Sequence, residues 1–303
     1  VNAMTSIAVT TLPTKTSYQP NEALDLTGIV VTGTAGAITS NITAGCTFNP
    51  ADGTILDEEK TYTVNVNYHG FTTSFNVTCS SIPTSLENAT WAQIQTAVQN
   101  GTLSQFASVG DTKTITIGNY TYHMQLASIN DGTGTAGTYY PNHTADFISV
   151  ELMDTTHHIN SSNTNVGGWN SCEMRTYLNE TVYPTLPSDL KAVIVEKTHM
   201  RTAGNQSTNF ISASDKLWLP TEWEIFGGND SSGESATYNR HYSILSGHTA
   251  KRSVLYPTSS DIWWESSPDV NNNTRFCAVN VNGTAHSAAT SNAYFVVLCF
   301  RIG

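Results

Sequence analysis

The amino-acid sequence predicts two domains of different fold class: an all-β antiparallel sandwich over residues 1–82 and an α+β domain over residues 83–303. The chain has 303 residues, so each part is long enough to bury a core of its own. Alternating polar and apolar residues separated by glycine turns fill the first part, whereas signals for helix starts appear only in the second. The change of pattern near residue 82 predicts the domain boundary.

The composition limits the classes of partner. The formal net charge is −11 and only 13 residues are Lys or Arg. Nucleic acid is not an expected partner, because its binding depends on Lys and Arg that neutralise phosphates. No window approaches the ~20 apolar residues of a membrane span, so we do not expect direct membrane insertion. The opening VNAM is typical of a cloning remnant, and the chain is expected to be a piece of a longer protein.

The first domain is predicted to consist of short antiparallel strands. Its alternating segments are TSIAVTTLP, ALDLTGIVVTGT, TYTVNVNYHG and FTTSFNVTCS. Threonine and valine are enriched in them, as is typical of strands that are buried on one face. Between them, PADG at 50–53 is a turn sequence, since proline presets one dihedral angle and glycine accepts a left-handed one.

The second domain is predicted to contain three short helices among its strands. Their segments are TWAQIQTAVQNG, NSCEMRTYLN and TEWEIFGG. Each begins with a side chain that can cap the first turn and an acidic or amide residue three positions later; the pairs are Thr90 and Gln93, Asn170 and Glu173, and Thr221 and Glu224. Gly101 and Gly227 stand where the first and third helices should end. Strands such as KTITIGNYTYHMQLASI and DFISVELM complete an α+β pattern.

The cysteines do not form a dense disulfide framework. They are five in number: Cys46, Cys79, Cys172, Cys277 and Cys299. An odd count spread over a long chain favours buried free thiols, although one pair within each domain, Cys46 with Cys79 and Cys277 with Cys299, stays open. No CxxC spacing supports a zinc site.

The first domain resembles a known class of bacterial domain. The segment LPTKTSYQPNEALDLTGIVVTGT is similar to the opening of bacterial immunoglobulin-like domains, which occur in surface proteins and phage structural proteins. The resemblance covers about residues 5–80. It implies an immunoglobulin-like sandwich that acts as a spacer or display module and carries no chemistry of its own.

The second domain resembles an uncharacterised domain of gut bacteria and their phages that is related to the C-type lectin fold. The segments that carry the resemblance are TWAQIQTAVQNGTLSQFASVGDTKTI, GGWNSCEMRTYLN, KLWLPTEWEIFG, IWWESSP, FCAVNVNG and LCFRIG. They are also similar to the variable proteins of diversity-generating retroelements, in which template adenines are replaced at random and asparagine codons therefore become codons for many other residues. The resemblance implies a C-type-lectin-like ligand-binding domain whose variable segment is about 263–300.

Within that segment, we expect a strand that is buried on one face and varied on the other. In FCAVNVNGTAHSA, the apolar residues Cys277, Val279 and Val281 should point inward. The run NNN at 271–273 and the absence of lysine after Lys251 favour a diversified surface, although the residues alone leave open an ordinary polar sheet face. The candidate ligand-binding residues, expected to point outward, are Asp269, Asn271, Asn273, Arg275, Ala278, Asn280, Asn282, Thr284, His286, Ser287, Ala288, Thr290, Asn292 and Tyr294.

Other chemistry has less support. The loop DVNNNTR begins like a calcium-binding loop at Asp269 but lacks the required glycine and the closing glutamate. His157 and His158 are expected in a solvated loop rather than at a metal, and Glu222 with Glu224 are interpreted as charges that favour the start of a helix. Trp263 and Trp264 are predicted to lie in the core. We therefore expect no metal and no cofactor.

These observations predict a non-enzymatic binding protein whose ligand is a cell-surface protein or glycan. The resemblance implies a phage receptor-binding protein on a virion tail or capsid surface, or an adhesin on a bacterial cell surface. Display proteins of this kind often trimerise, so a homo-trimer is an open expectation. Two alternatives remain: an oxidoreductase similar to formylglycine-generating enzymes, with Cys277 and Cys299 as its candidate copper-binding residues, and a structural module without a ligand.

Overall fold

The computed structural model describes residues 3–133, 137–245, 252–254 and 261–303. The protein is mostly β, with 38% strand and 15% helix, and combines several small sheets, a C-terminal sheet curled into a half-barrel and a few short helices. It divides into two compact units, Val1–Ile82 and Pro83–Gly303. The division falls where the pattern of the sequence changes.

The first unit is built from strands alone, apart from one 3-10 turn at Thr43–Gly45. Its described strands are β1 Ser6–Thr11, β2 Ser17–Tyr18, β3 Glu22–Ala23, β4 Val30–Ala35, β5 Ile38–Asn41, β6 Thr47–Asn49, β7 Ile55–Leu56, β8 Lys60–Tyr68 and β9 Phe71–Cys79. They form one sheet in the order β1, β4, β5, a second in the order β2, β9, β8, β6, and the pair β3 with β7. The alternation predicted for β8 is confirmed, since Val64 and Val66 are buried while Thr63 and Asn65 are exposed.

The second unit places its C-terminal strand inside its largest sheet. Its described strands are β10 Thr112–Ile117, β11 Tyr120–Asn130, β12 Thr144–Ser149, β13 Glu151–Leu152, β14 Ile194–Val195, β15 Lys197–Thr202, β16 Phe210–Asp215, β17 Ser253–Val254, β18 Trp263–Pro268, β19 Arg275–Val279, β20 Ala285–Ala289 and β21 Cys299–Ile302. The largest sheet has the order β10, β11, β12, β21, β14, and a smaller one has the order β18, β19, β20. The pairs β13 with β17 and β15 with β16 complete the unit.

The helices of the second unit are short. They are α1 Trp91–Gln99, α2 Glu173–Thr176, α3 Ser188–Lys191 and α4 Glu222–Phe226. The predicted capping boxes at Thr90 and Thr221 are confirmed, because in each the side chains and backbone amides of the pair bond reciprocally. No helix within the described residues is long and apolar enough to cross a membrane.

The predicted start of the second helix is wrong. Asn170 lies in a 3-10 turn at Gly168–Ser171, and α2 begins after Cys172 and continues into a π-helix at Tyr177–Val182. The reason is that the Asn170 amide donates to the Ser212 carbonyl on the neighbouring strand, at 2.6 Å. Its side chain is therefore committed to β16 and does not cap a helix.

Large aromatic side chains fill the core of the second unit. Trp169, Trp218, Trp263 and Trp264 are fully buried, so the prediction that Trp263 and Trp264 belong to the core is confirmed. Tryptophan buries more apolar surface than any other side chain, which gives this unit a large hydrophobic stabilisation.

A network of buried charges joins four elements of the second unit. The Lys197 ammonium on β15 lies 2.6 Å from Glu224 Oε1 on α4 and 3.2 Å from Asp146 Oδ2 on β12. Arg301 on β21 binds the same Asp146 carboxylate through Nε at 2.6 Å and Nη2 at 2.9 Å. Burial alone would raise the pKa of Asp146, but the two cations outweigh it and hold that pKa well below its usual range. Glu224 is therefore a buried ion-pair partner as well as the capping residue that the sequence indicates.

Candidate functional site

The fourteen predicted ligand-binding residues differ widely in exposure. The exposed ones are Asn271, Asn273, Arg275, Asn282, Thr284 and Asn292. The half-buried ones are Asn280, His286, Ser287 and Tyr294. The buried ones are Asp269, Ala278, Ala288 and Thr290. For these last four, the prediction that the side chain points outward is wrong.

Ala278 is buried because β19 is covered on both faces, as the consecutive buried residues Phe276–Val279 show. Ala288 is buried beside it on β20. Strand β19 lies between β18 and β20, where Ala278 pairs with Trp264 and Phe276 pairs with Ala288. These residues belong to the hydrophobic core. The prediction that alternate residues of this strand point inward and outward is therefore wrong. Val281 was expected to point inward, but its side chain is 45% exposed because the strand has already ended at Val279.

Asp269 and Thr290 are buried because their polar atoms hold loops in place. Asp269 Oδ1 accepts from the amide of Asn271 at 2.8 Å, which closes the first turn of the loop 269–275. The Thr290 hydroxyl donates to the Ser162 carbonyl and accepts from the Thr164 amide, both at 3.0 Å. Both side chains shape the backbone rather than the surface.

The exposed candidates do not form one continuous face. Along the β19 and β20 hairpin, Arg275 pairs with Ala289 at one end and Val279 pairs with Ala285 at the other. The exposed residues of 271–275 and 291–292 therefore lie at one end of the hairpin, and those of 280–284 lie at the opposite end. The strands between them are buried or half-buried.

The loop 269–275 is held from beneath by a single buried amide. Asn165, which is fully buried, donates through Nδ2 to the carbonyls of Asp269, Asn272 and Arg275 at 2.9–3.0 Å. Its own backbone amide donates to the Asn273 carbonyl at 2.8 Å, and its Oδ1 accepts from the Asn205 amide at 2.7 Å. Both polar groups of the Asn165 side chain are thus hydrogen-bonded, Nδ2 to the loop 269–275 and Oδ1 to the Asn205 backbone.

This arrangement also explains the resemblance of DVNNNTR to a calcium loop. The loop does direct several carbonyl oxygens toward one point, as calcium-binding loops do. That point is filled by the Asn165 amide. Among the described residues, no three His, Cys, Asp or Glu side chains are placed to hold a metal ion.

A second loop, 290–294, is anchored by the segment 157–164. Asn163 Oδ1 accepts from the Ser291 hydroxyl at 2.6 Å, and the Asn160 amide donates to the Thr290 carbonyl at 3.1 Å. Tyr294 forms a two-way backbone bridge with His157, at 2.8 and 3.2 Å. The two loops are therefore neighbours, since Thr290 N–H also donates to Thr274 O at 3.0 Å.

The segment 157–166 is the part of this surface that the sequence prediction missed. It supplies Asn165 and Asn163 as anchors, and it adds Val166, whose side chain is 57% exposed, beside the loop 269–275. Its composition, HHINSSNTNV, resembles that of the predicted variable segment in its asparagines and serines. This similar composition could have pointed to the segment. Local sequence patterns, however, do not indicate that residues about 110 to 130 positions apart in the chain pack together.

The family to which the chain belongs can be stated from the sequence match over this unit. The model of a domain of unknown function, DUF6273, matches residues 145–302. The chain belongs to the DUF6273 family. The match begins in β12 and ends in β21, so the DUF6273 domain contains both loops, their anchors and all fourteen candidate residues.

The other comparisons add little. No curated protein matches the chain. Among solved structures, one provisionally described as a glycoside hydrolase from Bacteroides thetaiotaomicron covers 99% of this chain and 82% of its own, at 9% identity and a TM-score of 0.16. A TM-score this low carries no information about fold or activity.

Beside the second loop, the DUF6273 domain carries a cluster of histidine and tyrosine rings. The His157 ring stacks on Tyr177 with centroids 4.1 Å apart, and Tyr294 packs against Trp264 at 4.9 Å. The Trp264 indole donates to the His157 carbonyl at 2.9 Å. The rings of His157, Tyr177 and Tyr294 are half-buried, so each offers an edge to the surface.

A carboxylate at the rim of this cluster is held ionised. Glu173 accepts from the hydroxyl and amide of Ser161, at 2.6 and 3.1 Å, and lies 2.8 Å from His158 Nε2. These bonds, above all those from Ser161, lower the pKa of Glu173 to about 2. His158 lies in a loop, as predicted, but it is half-buried and paired with Glu173.

The cysteines considered for an enzyme are buried in separate surroundings. All five cysteines of the chain are free, as favoured from the sequence. Burial raises the pKa of both the Cys277 and the Cys299 thiol well above its usual value. Glu265 and Glu222 add to the effect at Cys277, whereas Glu224 does so at Cys299. Neither thiol has the electropositive, accessible setting of a reactive cysteine.

A groove of about 380 Å³ lies on another part of the DUF6273 domain. It is lined by the π-helix and the end of β16, including Arg175, Asn179 and Lys216. Arg175 binds Asp215 at 2.6 Å, and Asn179 bonds to backbone groups of Arg175, Lys216 and Leu217. These lining groups are therefore engaged with one another.

Proposed function

We propose that the protein displays a diversified ligand-binding surface made by the loops 269–275 and 290–294 of the DUF6273 domain. The ligand class is a cell-surface protein or glycan, and the setting is a phage virion or a bacterial cell surface. The proposal includes the finer fold assignments: an immunoglobulin-like spacer over residues 1–82, followed by a C-type-lectin-like domain.

The observation that carries the proposal is the separation of backbone anchors from exposed side chains. Asn165 and Thr290 fix the two loops through buried hydrogen bonds, whereas Asn271, Asn273 and Asn292 project from the same loops into solvent. Exposed side chains on a fixed backbone can be exchanged at little cost in stability, usually within about 0.5 kcal/mol each. Amides, hydroxyls and aromatic edges together also supply the adaptable bonds and rigid contacts that antibody loops combine.

The first test is the sequence of the genomic DNA around the gene. The proposal expects a reverse transcriptase and a near-copy of the segment that encodes 263–303, in which mismatches fall at adenines. They should fall at the codons of surface residues that are no longer asparagine, such as Arg275 and Tyr294, where the near-copy should have asparagine codons. They should spare the codons of the buried residues Asp269, Ala278, Ala288 and Thr290. The proposal would be contradicted if no near-copy exists, or if the mismatches are as frequent at the codons of buried residues as at those of surface residues.

The second test uses two matched libraries of the full chain. One randomises the exposed codons 271, 273, 275 and 292; the other randomises the buried codons 269, 278, 288 and 290. We expect most members of the first library to keep the melting temperature of the parent and some to bind an arbitrary immobilised protein. Most members of the second should fail to fold, because they disturb the core or a loop anchor. Equal losses in both libraries would contradict the proposal.

A further inference from the structure

Three buried carboxylates lie between α4, the loop that follows it and β18. They belong to Glu222 on α4, Glu234 in the loop and Glu265 on β18, and all three are nearly inaccessible to solvent. Cys277 on β19 faces the same place, since the charges of Glu265, Glu222, Asp269 and Glu234 all act on its thiol. We call Glu222, Glu234 and Glu265 the carboxylate group.

The members of the carboxylate group differ in how they are hydrogen-bonded. Glu222 accepts from the amides of Ser232 and Ser231, at 2.7 and 3.2 Å. Glu234 accepts from the Asn239 amide at 3.3 Å through one oxygen, while its Oε1 has no partner, and neither oxygen of Glu265 has one. An ionised carboxylate buried without partners costs several kcal/mol, and such a group remains protonated instead.

The charged residues around the carboxylate group do not neutralise it. Arg201 is the cation that acts on Glu234, but its Nε donates to Ser266 and its Nη2 to the Leu219 carbonyl, and its Nη1 has no partner. Among the described residues, the other charges that act on the group are acidic: Glu224 acts on Glu234 and Asp230 acts on Glu265, while Asp269 acts on the neighbouring Cys277 thiol. Ionisation of Glu234 or Glu265 would therefore place like charges close together.

The carboxylate group is tied to the loop 269–275 through one backbone residue. The Ser231 amide donates to the Glu222 carboxylate, and the Ser231 carbonyl accepts from the Val270 amide at 3.0 Å. A change in the position of Glu222 or of residues 230–235 is therefore transmitted to the first turn of the loop. Asn165 holds the same loop independently, through the carbonyls of Asp269, Asn272 and Arg275.

We propose that the carboxylate group is a pH-sensitive latch on the loop 269–275: with Glu234 and Glu265 neutral the latch is closed, and their ionisation releases residues 230–235 together with Val270. Repulsion among the ionised carboxylates is the force that opens it: Glu222 and Glu234 act on Glu265, and Glu224 acts on Glu234. Among the described residues, the cation that acts on Glu234 is Arg201, which offsets this repulsion only in part. The latch acts on the order of the loop, whether or not the loop binds a ligand.

The direction of the pH dependence follows from the two titrating groups. Burial raises the pKa of Glu234 to about 7 even though Arg201 opposes the shift. Burial, and then the charges of Glu222 and Glu234, raise the pKa of Glu265 well above its usual value. Both groups keep their protons to higher pH in the folded chain than in the unfolded chain. The latch is therefore fully closed at acid pH and is lost as the pH rises through about 7 and beyond.

The test is amide hydrogen exchange of the full chain at about pH 6 and about pH 9, corrected for the intrinsic pH dependence of exchange. We expect protection of residues 228–235 and 269–275 to fall at least tenfold between the two pH values, which corresponds to about one pKa unit. Protection of β11, Tyr120–Asn130, should not change. In the double variant Glu234→Gln and Glu265→Gln, the loss of protection should disappear, while the matched control Glu180→Gln, at an exposed position, should behave as the parent does.

Three results would overturn the latch. One is an unchanged loss of protection in the double variant, and another is an equal loss in β11. The third is recovery of protection in the parent at about pH 9 when calcium or magnesium chloride is added, which would make the carboxylate group a cation site. If the double variant does not fold, Glu234→Gln alone should remove the part of the loss below about pH 8.

Discussion

Two buried groups of charged residues meet at the short helix α4, and they are built in opposite ways. Glu222 and Glu224 are two positions apart, about 200° around a helix, so they point in different directions. Glu224 enters the network with Lys197, Asp146 and Arg301, in which each carboxylate has a cation within 3.2 Å. Glu222 enters the carboxylate group, in which the Glu265 carboxylate has no hydrogen bond and, within the described part of the chain, no cation acting on it.

The difference shows that burial alone does not decide the charge state of a carboxyl group. In the network, Arg301 and Lys197 keep the pKa of Asp146 low despite its burial. In the carboxylate group, burial prevails and raises the pKa of Glu234 and Glu265. A buried ion pair adds little net stability, but removing one of its partners is strongly destabilising. A buried carboxylate without a partner destabilises the folded state already in the parent protein. The two groups should therefore respond in opposite senses to mutation and to pH.

The largest effect is expected from Lys197→Met. Removing the ammonium leaves Asp146 and Glu224 close together with one cation fewer, which should cost about 3–5 kcal/mol of unfolding free energy. All six tryptophans lie between Trp91 and Trp264, so tryptophan fluorescence during denaturant unfolding reports on the second unit alone. Lys191→Met is the matched control, because the Lys191 ammonium donates to the Pro184 carbonyl at the surface. If Lys197→Met, like Lys191→Met, lowers the unfolding free energy by less than about 1 kcal/mol, the buried network does not behave as expected.

The second prediction concerns the carboxylate group, where removing an acidic residue should leave the unfolding free energy unchanged or raise it. Glu265→Leu replaces an unpaired acid by an apolar side chain, so it should be neutral or stabilising by up to a few kcal/mol at about pH 8. The two groups should also lose their contributions to the unfolding free energy in different pH ranges. Stability from the network is lost as the pH falls below the unfolded Asp pKa of 3.8, and stability linked to Glu234 is lost as the pH rises from 4.5 to about 7.

Unfolding curves measured from about pH 3 to about pH 9 would test that division. In the variant Glu234→Gln, the unfolding free energy should no longer fall as the pH rises through neutral, whereas its fall at acid pH should be unchanged. If Glu265→Leu destabilises the protein as much as Lys197→Met does, then Glu265 has a partner that stabilises its charge, and the comparison fails.

Local sequence signals predicted part of this region, and tertiary contacts decided the rest. The capping box of Thr221 and Glu224 could be predicted, because it depends on residues three positions apart. The burial of Glu222 and Glu224 could not, since a glutamate at a helix start looks the same whether the helix faces water or a core. The burial of Ala278 was missed for a similar reason: alternation predicts one exposed face, but the consecutive residues Phe276–Val279 of β19 are all buried, so the strand is covered on both faces.

A smaller effect is expected at Asn165, which is buried and uncharged but fully bonded. Asn165→Ala would leave three carbonyls of the loop 269–275 and the Asn205 amide without this partner, at a cost of about 1–3 kcal/mol. Asn163→Ala is the control, because Asn163 is exposed and bonds only to Ser291. Equal unfolding free energies for the two variants would mean that the loop does not depend on the Asn165 amide.

The smallest effect should come from the exposed side chains of the same loop. In the triple variant Asn271→Ser, Asn273→Ser and Arg275→Ser, each change should alter the unfolding free energy by no more than about 0.5 kcal/mol, because the side chains point into solvent. Thr290→Val is the matched contrast: it keeps the shape of a buried side chain but removes the hydroxyl between Ser162 and Thr164, at a cost of about 1 kcal/mol or more. If any one of the three changes, made singly, loses more stability than Thr290→Val, then that exposed residue supports the fold. The loop could not then vary freely, whatever it binds.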